Sequence, residues 1–313
     1  MRAIVFREYG PADVLTAADV EMPKPLATEV LVRVRAAGTN PVETFIRSGA
    51  ARNVFTTVTP PSIPGWDISG VVEEVVPGVT RFKVGDEVFG MPFFPRAAGA
   101  YAEFVAAPSR QLARKPRTVD HARAAALPLA GLTAWQALVD VGDVQRGQRV
   151  LIHAGGGGVG HLAIQIAKAR GAYVLTTTSA NKVDLVRSFG ADEVIDYRTV
   201  DFAKTAKDVD LVLELVGGDY AGRSIDVLRP AGLLVTAVER TNATLEKRVL
   251  AAGRRFAGLS VEPDHVGLEH LAELVDQGQL RIHVSQTFPL AEAAKAHTLL
   301  ESGSVTGKVV LMV

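Results

Sequence analysis

The residues best suited to chemistry stand together at His153-Ala-Gly155-Gly-Gly157-Gly158-Val159-Gly160-His-Leu-Ala-Ile-Gln-Ile166. Gly155, Gly157 and Gly160 satisfy G-x-G-x-x-G, directly after an apolar strand pattern and directly before a helical one. Such a turn binds a dinucleotide pyrophosphate. It is tight, its backbone must approach the phosphates closely, and its helix must pack against the strand. The first helical N–H groups, unpaired within the helix, then face the anion. Four glycines in a row also read as a flexible loop. The strand before them and the stripe of Leu162, Ile166 and Ala169 after them argue against that.

The next strand indicates which dinucleotide. A site for the unphosphorylated form carries an acid about 20 residues on, bound to the ribose. Here Thr176-Thr-Thr178-Ser179-Ala-Asn-Lys182 holds no acid before Asp184. With no carboxylate to repel it, a 2′-phosphate can be held by Lys182 and Ser179 at the strand end after Thr178. Tyr197, beyond the following strand, adds a hydroxyl. These residues predict NADPH; the other reading of Lys182 is a solvated lysine in a first helical turn.

Other chemistries are excluded or weakly signalled. The chain has no cysteine, hence no disulfide, no thiolate nucleophile and no cysteine-based zinc site. His153 reads as a packing residue, and His161 has Gln165 at i+4, not a second histidine. The expected metal content is none. Lys plus Arg equals Asp plus Glu, 34 each, so no charge excess points to nucleic acid. The most apolar window, 122–139, is broken by Arg123, Pro128 and Gln136, too interrupted for a membrane span. The N-terminus reads as a strand without a leader's apolar core, and a cytoplasmic location is expected.

The elements that must position these residues divide into two classes. At 313 residues with 48% hydrophobic content, the chain suits two domains. In its first third, Val30, Val32 and Val34 alternate with Leu31, Arg33 and Arg35. Further strands are predicted over 71–76, 83–89 and 101–107, which suggests a small barrel or sandwich. Asp120 caps a predicted helix, and a second follows Pro128. From Arg149 strands at 150–154, 173–178, 193–196, 210–216, 233–237 and 256–261 join helices at 161–170 and 181–189. That alternation means a parallel sheet covered on both faces. A helix over 290–301 and a strand over 308–313 close the chain and are expected to return to the first domain. The predicted domains are 1–120 with 281–313, and 121–280.

With these residues placed, the pattern resembles the zinc-independent quinone oxidoreductases (zeta-crystallin-like) of the medium-chain dehydrogenases/reductases. The matching stretches are Ala37-Gly-Thr-Asn40-Pro-Val-Glu43-Thr-Phe45-Ile-Arg-Ser-Gly49, Pro64-Gly-Trp66-Asp67, Val84-Gly-Asp-Glu-Val-Phe89, Ala126-Leu-Pro-Leu-Ala-Gly-Leu-Thr133-Ala-Trp135, the glycine-rich turn, Gly190-Ala-Asp-Glu-Val-Ile-Asp196 and Gly307-Lys308-Val-Val-Leu311. The resemblance covers the whole chain. It implies an α/β fold: a Rossmann-type doubly wound parallel sheet plus a GroES-like β-barrel catalytic domain, with the nicotinamide in a cleft between them.

The resemblance also implies residue roles. Asn40 and Thr133 match positions beside the nicotinamide. Lys182 and Tyr197 match the pair holding the 2′-phosphate. Val216, Ala237, Val238 and Lys308 match further cofactor contacts, and Glu43 an acidic position near the cleft. Trp66 stands where zinc-dependent relatives carry histidine, and Phe45 where bacterial members often have tyrosine. Phe45, Trp66 and Phe93 are expected to line an aromatic pocket. The implied activity is metal-free hydride transfer from NADPH to a quinone or the activated C=C bond of an α,β-unsaturated carbonyl. Enoyl-thioester reduction is an alternative, and an NADPH-binding structural or regulatory protein with little turnover is another. A homodimer is expected through the apolar strand at 256–261.

Overall fold

The computed structural model describes residues 1–313. They form two compact units: Met1–Leu132 with Glu262–Asp276 and Ile282–Val313, and Thr133–Val261 with Gln277–Arg281.

The first unit begins with an antiparallel ribbon, β1 (Arg2–Val5) against β2 (Thr16–Asp19). It continues through β3 (Glu29–Gly38), β4 (Ile68–Val75), β5 (Glu87–Gly90), β6 (Phe104–Pro108) and β7 (Leu112–Arg114). The second unit contributes β8 (Arg149–Ile152), β9 (Tyr173–Thr178), β10 (Glu193–Asp196), β11 (Val209–Glu214), β12 (Leu228–Thr236) and β13 (Arg255–Gly258). The chain then returns to the first unit with β14 (Val284–Pro289) and β15 (Lys308–Met312).

The spine of the first unit is β3. One edge pairs along β4; the other is shared by β6 at Glu29–Arg33 and β15 at Ala36–Gly38. Val30, Val32 and Val34 are buried as their alternation predicts, but Leu31, expected outward, is buried too. Each such side chain contributes about 1.5–3 kcal/mol by leaving water. The strand ends in Ala36-Ala37-Gly38 because two backbones come close there. A Cβ on Gly38 would lie 2.2 Å from the Ala125 carbonyl oxygen and 2.8 Å from Asp67 Cβ.

That approach explains why the chain passes to the second unit at Thr133 and not at His121. The helix His121–Ala125 packs on β3, and His121 Nδ1 lies 2.8 Å from the buried Ser69 Oγ of β4. The helix His265–Asp276 also belongs to the first unit. Asp276 accepts from Thr118 N and Oγ at 3.0 Å each, and Glu269 from Arg81 at 2.5 Å. The strand predicted over 83–89 starts only at Glu87. Asp86 N–H bonds to Lys83 O across a turn in which Gly85 has φ +91°.

The second unit is a six-stranded parallel sheet in the order β10-β9-β8-β11-β12-β13. Counted along the chain from β8, that is 3-2-1-4-5-6, the doubly wound order whose direction reverses between β8 and β11. The helix Gly160–Ala169 follows β8 and is buried throughout Gly160–Ala167, while Ala169 is exposed. A helix set against a sheet in this way is covered all round, so no one-sided stripe develops. The fold is therefore α/β, a Rossmann-type sheet and a GroES-like unit.

Candidate functional site

Between β8 and its helix the chain makes a strained turn. Ala154, which has a Cβ, sits at φ +54°, in the left-handed region that costs a non-glycine residue roughly 1–2 kcal/mol. Gly155, Gly157 and His161 donate their amides to Thr177 O, Ala154 O and Gly157 O. The amides of Gly158, Val159 and Gly160 are left as donors at the helix start. Two glycines are set by close approach. A Cβ on Gly155 would stand 2.1 Å from Thr176 Oγ1, and one on Gly160 2.2 Å from Ala154 O. His161 lies beneath the turn, fully buried, with Nδ1 2.9 Å from Gly157 O. His153 is likewise internal, between Thr177 Oγ1 at 3.1 Å and Ser224 Oγ at 3.0 Å. Burial, with Arg223 nearby, pushes its pKa down to about 3, so it is a neutral packing residue.

At the ends of β9 and β10 the expected phosphate-holding residues do converge. The stem of Lys182 lies across the glycine-rich turn, since a Cβ on Gly156 would be 2.8 Å from Lys182 Cδ. Thr178 underlies the same glycine, its Oγ1 3.2 Å from that position. Ser179 is buried and its hydroxyl bonds to Asn181 Oδ1 at 2.7 Å. Partial burial, then the neighbouring Arg198, holds the Lys182 ammonium below its ordinary range. Arg198 was not among the expected residues. It follows Tyr197, its guanidinium 5.9 Å from that ring's centroid. Two cations near each other at the end of a sheet favour an anion. The sequence signal was a basic residue beside an already suspected tyrosine.

The two strands beyond the reversal point are followed by apolar residues. Val216 follows β11, and Ala237 and Val238 follow β12; Val216 and Val238 are 45% and 50% exposed. Thr133, at the first residue of this unit, is 5% exposed.

The first unit holds a different structure, a buried polar cluster. Asn40 caps the helix Pro41–Arg47 with Pro at its first turn, and Glu43 completes a capping box by accepting the Asn40 N–H. The Asn40 amide donates to Asp67 Oδ2 at 3.0 Å and Glu43 Oε1 at 3.3 Å, and its Oδ1 accepts from Lys308. Lys308 also donates to Thr39 O at 2.8 Å and lies 3.7 Å from Asp67 Oδ2. Asp67 Oδ1 takes the Leu129 N–H at 2.8 Å. Burial, then the Asp67 charge, pushes Glu43 up to about 8. Glu43 thus holds a proton at neutral pH, and beside it burial raises Asp67 and lowers Lys308.

This cluster redirects several sequence expectations. Asn40 does not offer its amide to a ligand, because both Nδ2 hydrogens and one Oδ1 lone pair are used inside the unit. Lys308, expected at the cofactor, is 3% exposed, and its ammonium serves Thr39, Asn40 and Asp67. Trp66, expected as a pocket wall, is 1% exposed. Its indole donates to Arg96 O at 2.7 Å, and its ring sits 5.1 Å from Phe94 and 6.1 Å from Phe55. A buried indole needs an apolar surround and one acceptor, and this interior provides both. Phe45 is 55% exposed on the helix Pro41–Arg47. Phe93 is half-buried at φ +62°, its N–H on Gln111 Oε1 at 2.7 Å. No group of three or more His, Asp or Glu side chains is arranged to hold a metal ion.

Residues 26–117 match the alcohol dehydrogenase GroES-like domain, and residues 189–311 match the zinc-binding dehydrogenase domain. A quinone oxidoreductase from Pseudomonas aeruginosa is 35% identical over 99% of this chain and 99% of its own length. The solved quinone oxidoreductase from Coxiella burnetii superposes with TM-score 0.94 at 39% identity, covering 100% of this chain and 99% of that one. The Escherichia coli quinone oxidoreductase complexed with NADPH gives TM-score 0.88 at 29% identity, covering 100% of both chains.

Proposed function

The chain belongs to the zinc-independent quinone oxidoreductase family of the medium-chain dehydrogenases/reductases, and we propose that it reduces a quinone or an α,β-unsaturated carbonyl with NADPH. The observation that carries this is Lys182 laid across Gly156 with Arg198 beside it, at a strand end without a ribose-binding acid. The relative solved with NADPH supports the choice of cofactor. The residues present fit it. Gly158, Val159 and Gly160 offer amides for the pyrophosphate, and Lys182, Tyr197 and Arg198 offer donors and charge for the 2′-phosphate. When bound, NADPH supplies the hydride.

The donor set does not fit zinc, although residues 189–311 match the zinc-binding dehydrogenase domain. The chain has no cysteine, Trp66 replaces a histidine, and the Asn40 amide is occupied within the unit. The protein's own contribution is then orientation and exclusion of water, with Phe45 and Phe93 offering apolar surface to a flat conjugated acceptor.

Titration with NADPH and NADH, followed by steady-state oxidation against quinones, enones and enoyl thioesters, tests the reading. NADPH should bind more tightly than NADH. Lys182→Ala and Arg198→Ala should each weaken NADPH roughly 10- to 150-fold, as loss of a charge-assisted hydrogen bond implies. NADH binding should change little. Equal wild-type affinity for the two nucleotides removes the cofactor assignment. Turnover with no quinone or enone removes the acceptor assignment.

A further inference from the structure

The sheet of the second unit contains one buried carboxylate that the proposed chemistry does not use. Glu214 is the last residue of β11 and is fully buried. Its Oε1 accepts the Val216 and Gly217 N–H groups, each at 2.6 Å. Its Oε2 accepts the Thr236 hydroxyl at 3.0 Å. Thr236 ends β12 directly opposite Glu214 in the register. Its Oγ1 in turn accepts the N–H groups of Val238 at 3.3 Å and Glu239 at 3.0 Å. One carboxylate and one hydroxyl therefore fix the turn after β11 and the turn after β12 together. Glu239 returns the link, its Oε1 accepting the Gly218 N–H at 2.5 Å. The two turns touch, because a Cβ on Gly217, at φ +83°, would be 3.1 Å from Val238 Cγ1.

The geometry of the sheet says what such a clamp serves. The cationic pair marks the ends of β9 and β10, and the glycine-rich turn marks the end of β8. Adjacent strands are about 4.8 Å apart, so a dinucleotide extended along this edge has its second nucleoside over the ends of β11 and β12. Those ends present Val216 and Val238, two exposed apolar side chains on turns tied to each other beneath the surface.

We infer that Glu214 and Thr236 are positioning residues that hold Val216 and Val238 as one apolar platform for the nicotinamide end of the cofactor. They act through the two turns and touch no reacting atom. The inference rests on the NADPH reading above. Its chemistry is specific to acceptor and donor count. In Glu214→Gln the side-chain oxygen still serves Val216 and Gly217, but the amide nitrogen meets Thr236 Oγ1 as a third donor. A hydroxyl oxygen with two lone pairs, already accepting from Val238 and Glu239, has no place for it. Thr236→Val removes the link and keeps the shape. Thr236→Ser keeps the hydroxyl.

Two ligands separate the halves of the site: NADPH, and 2′,5′-ADP, which has the phosphorylated adenosine and no nicotinamide. In Glu214→Gln and Thr236→Val, NADPH should bind about tenfold more weakly, the size of one buried hydrogen bond, with 2′,5′-ADP within about twofold of wild type. Thr236→Ser should restore most of the NADPH affinity. Melting temperatures are measured alongside. If both ligands weaken in parallel, or if neither changes while melting temperature falls, the pair is scaffold and the inference is overturned. If wild type binds neither ligand, the NADPH reading itself has failed, a result distinct from failure of the clamp.

Discussion

Glu43 shows how a residue's neighbours decide its chemistry. Its side chain is a helix-capping acceptor in local terms, and N-x-x-E with Pro between marks such a cap at Asn40–Glu43, although the segment was not read as a helix. Its proton was not legible, because the burial that chiefly sets it, and the Asp67 charge that adds to it, come from remote parts of the chain. The folded pKa near 8 stands above the ordinary 4.5. Between those values the native chain binds a proton that the unfolded chain releases, so stability falls as pH rises, by up to about 1.4 kcal/mol per pH unit. The contribution is fully present below 4.5 and is lost as pH rises through about 8. Asp67, also raised by burial, acts in the same direction. Lys308, lowered by burial, acts oppositely between its folded value and 10.5. Glu43→Gln retains an acceptor for the Asn40 N–H and cannot ionise. Its stability from denaturant melts should therefore decline less than wild type between pH 5 and pH 8. Parallel profiles for the two proteins would show that Glu43 is not the titrating group. The same distance problem hid Glu214 and Thr236: each ends an apolar strand, and only the register makes them opposite.

Among the elements, legibility followed how sharply local chemistry marks the ends. The strands at 173–178 and 193–196 have the predicted bounds, set by Gly171 with Ala172 before one and by Gly190 before the other. The short helix Pro41–Arg47 was overlooked in a segment read as strands, because seven residues carry little periodicity. The helices Ala243–Ala251 and His265–Asp276 were also missed, although Asn242 accepts from Thr244 N and Leu245 N as an N-cap does. At 83–89 the apolar pattern outweighed the turn residues in a strand prediction, and Gly85 shows that the turn wins. In the glycine-rich turn the structure ranks residues that the motif treats alike. A Cβ on Gly160 meets the Ala154 carbonyl oxygen at 2.2 Å, a backbone atom that cannot swing aside, whereas one on Gly157 meets it at 3.1 Å. Gly160→Ala should cost about 1–3 kcal/mol of stability, the usual range for overpacking, and should weaken NADPH binding. Gly157→Ala should melt close to wild type. Calorimetry on both variants decides this, and equal melting temperatures would mean that the turn relaxes without strain.

At the scale of the whole molecule, the open question is what covers the outer edge of β13. The six-stranded sheet ends there, leaving the unpaired N–H and C=O groups of Arg255–Gly258. Phe256 and Ala257 are half-buried by their own chain, and Phe256 packs against the core of that sheet. An open strand edge with apolar residues invites pairing, and a two-fold axis at Ala257 satisfies it with a second copy. Antiparallel pairing about that axis sets Ala257 opposite the partner's Ala257, and Phe256 opposite the partner's Gly258. The arginines then do not face each other, which removes the main electrostatic objection to the pairing. On this argument we propose that the protein is a homodimer in solution. Ala257→Lys places two lysines directly opposite one another across the axis, and should leave monomers with an unchanged far-ultraviolet circular dichroism spectrum. Light scattering at micromolar concentration distinguishes the outcomes. A wild-type mass equal to one chain would mean that the edge is protected by its shortness and its arginines. A dimer that survives Ala257→Lys would place the subunit contact on another surface.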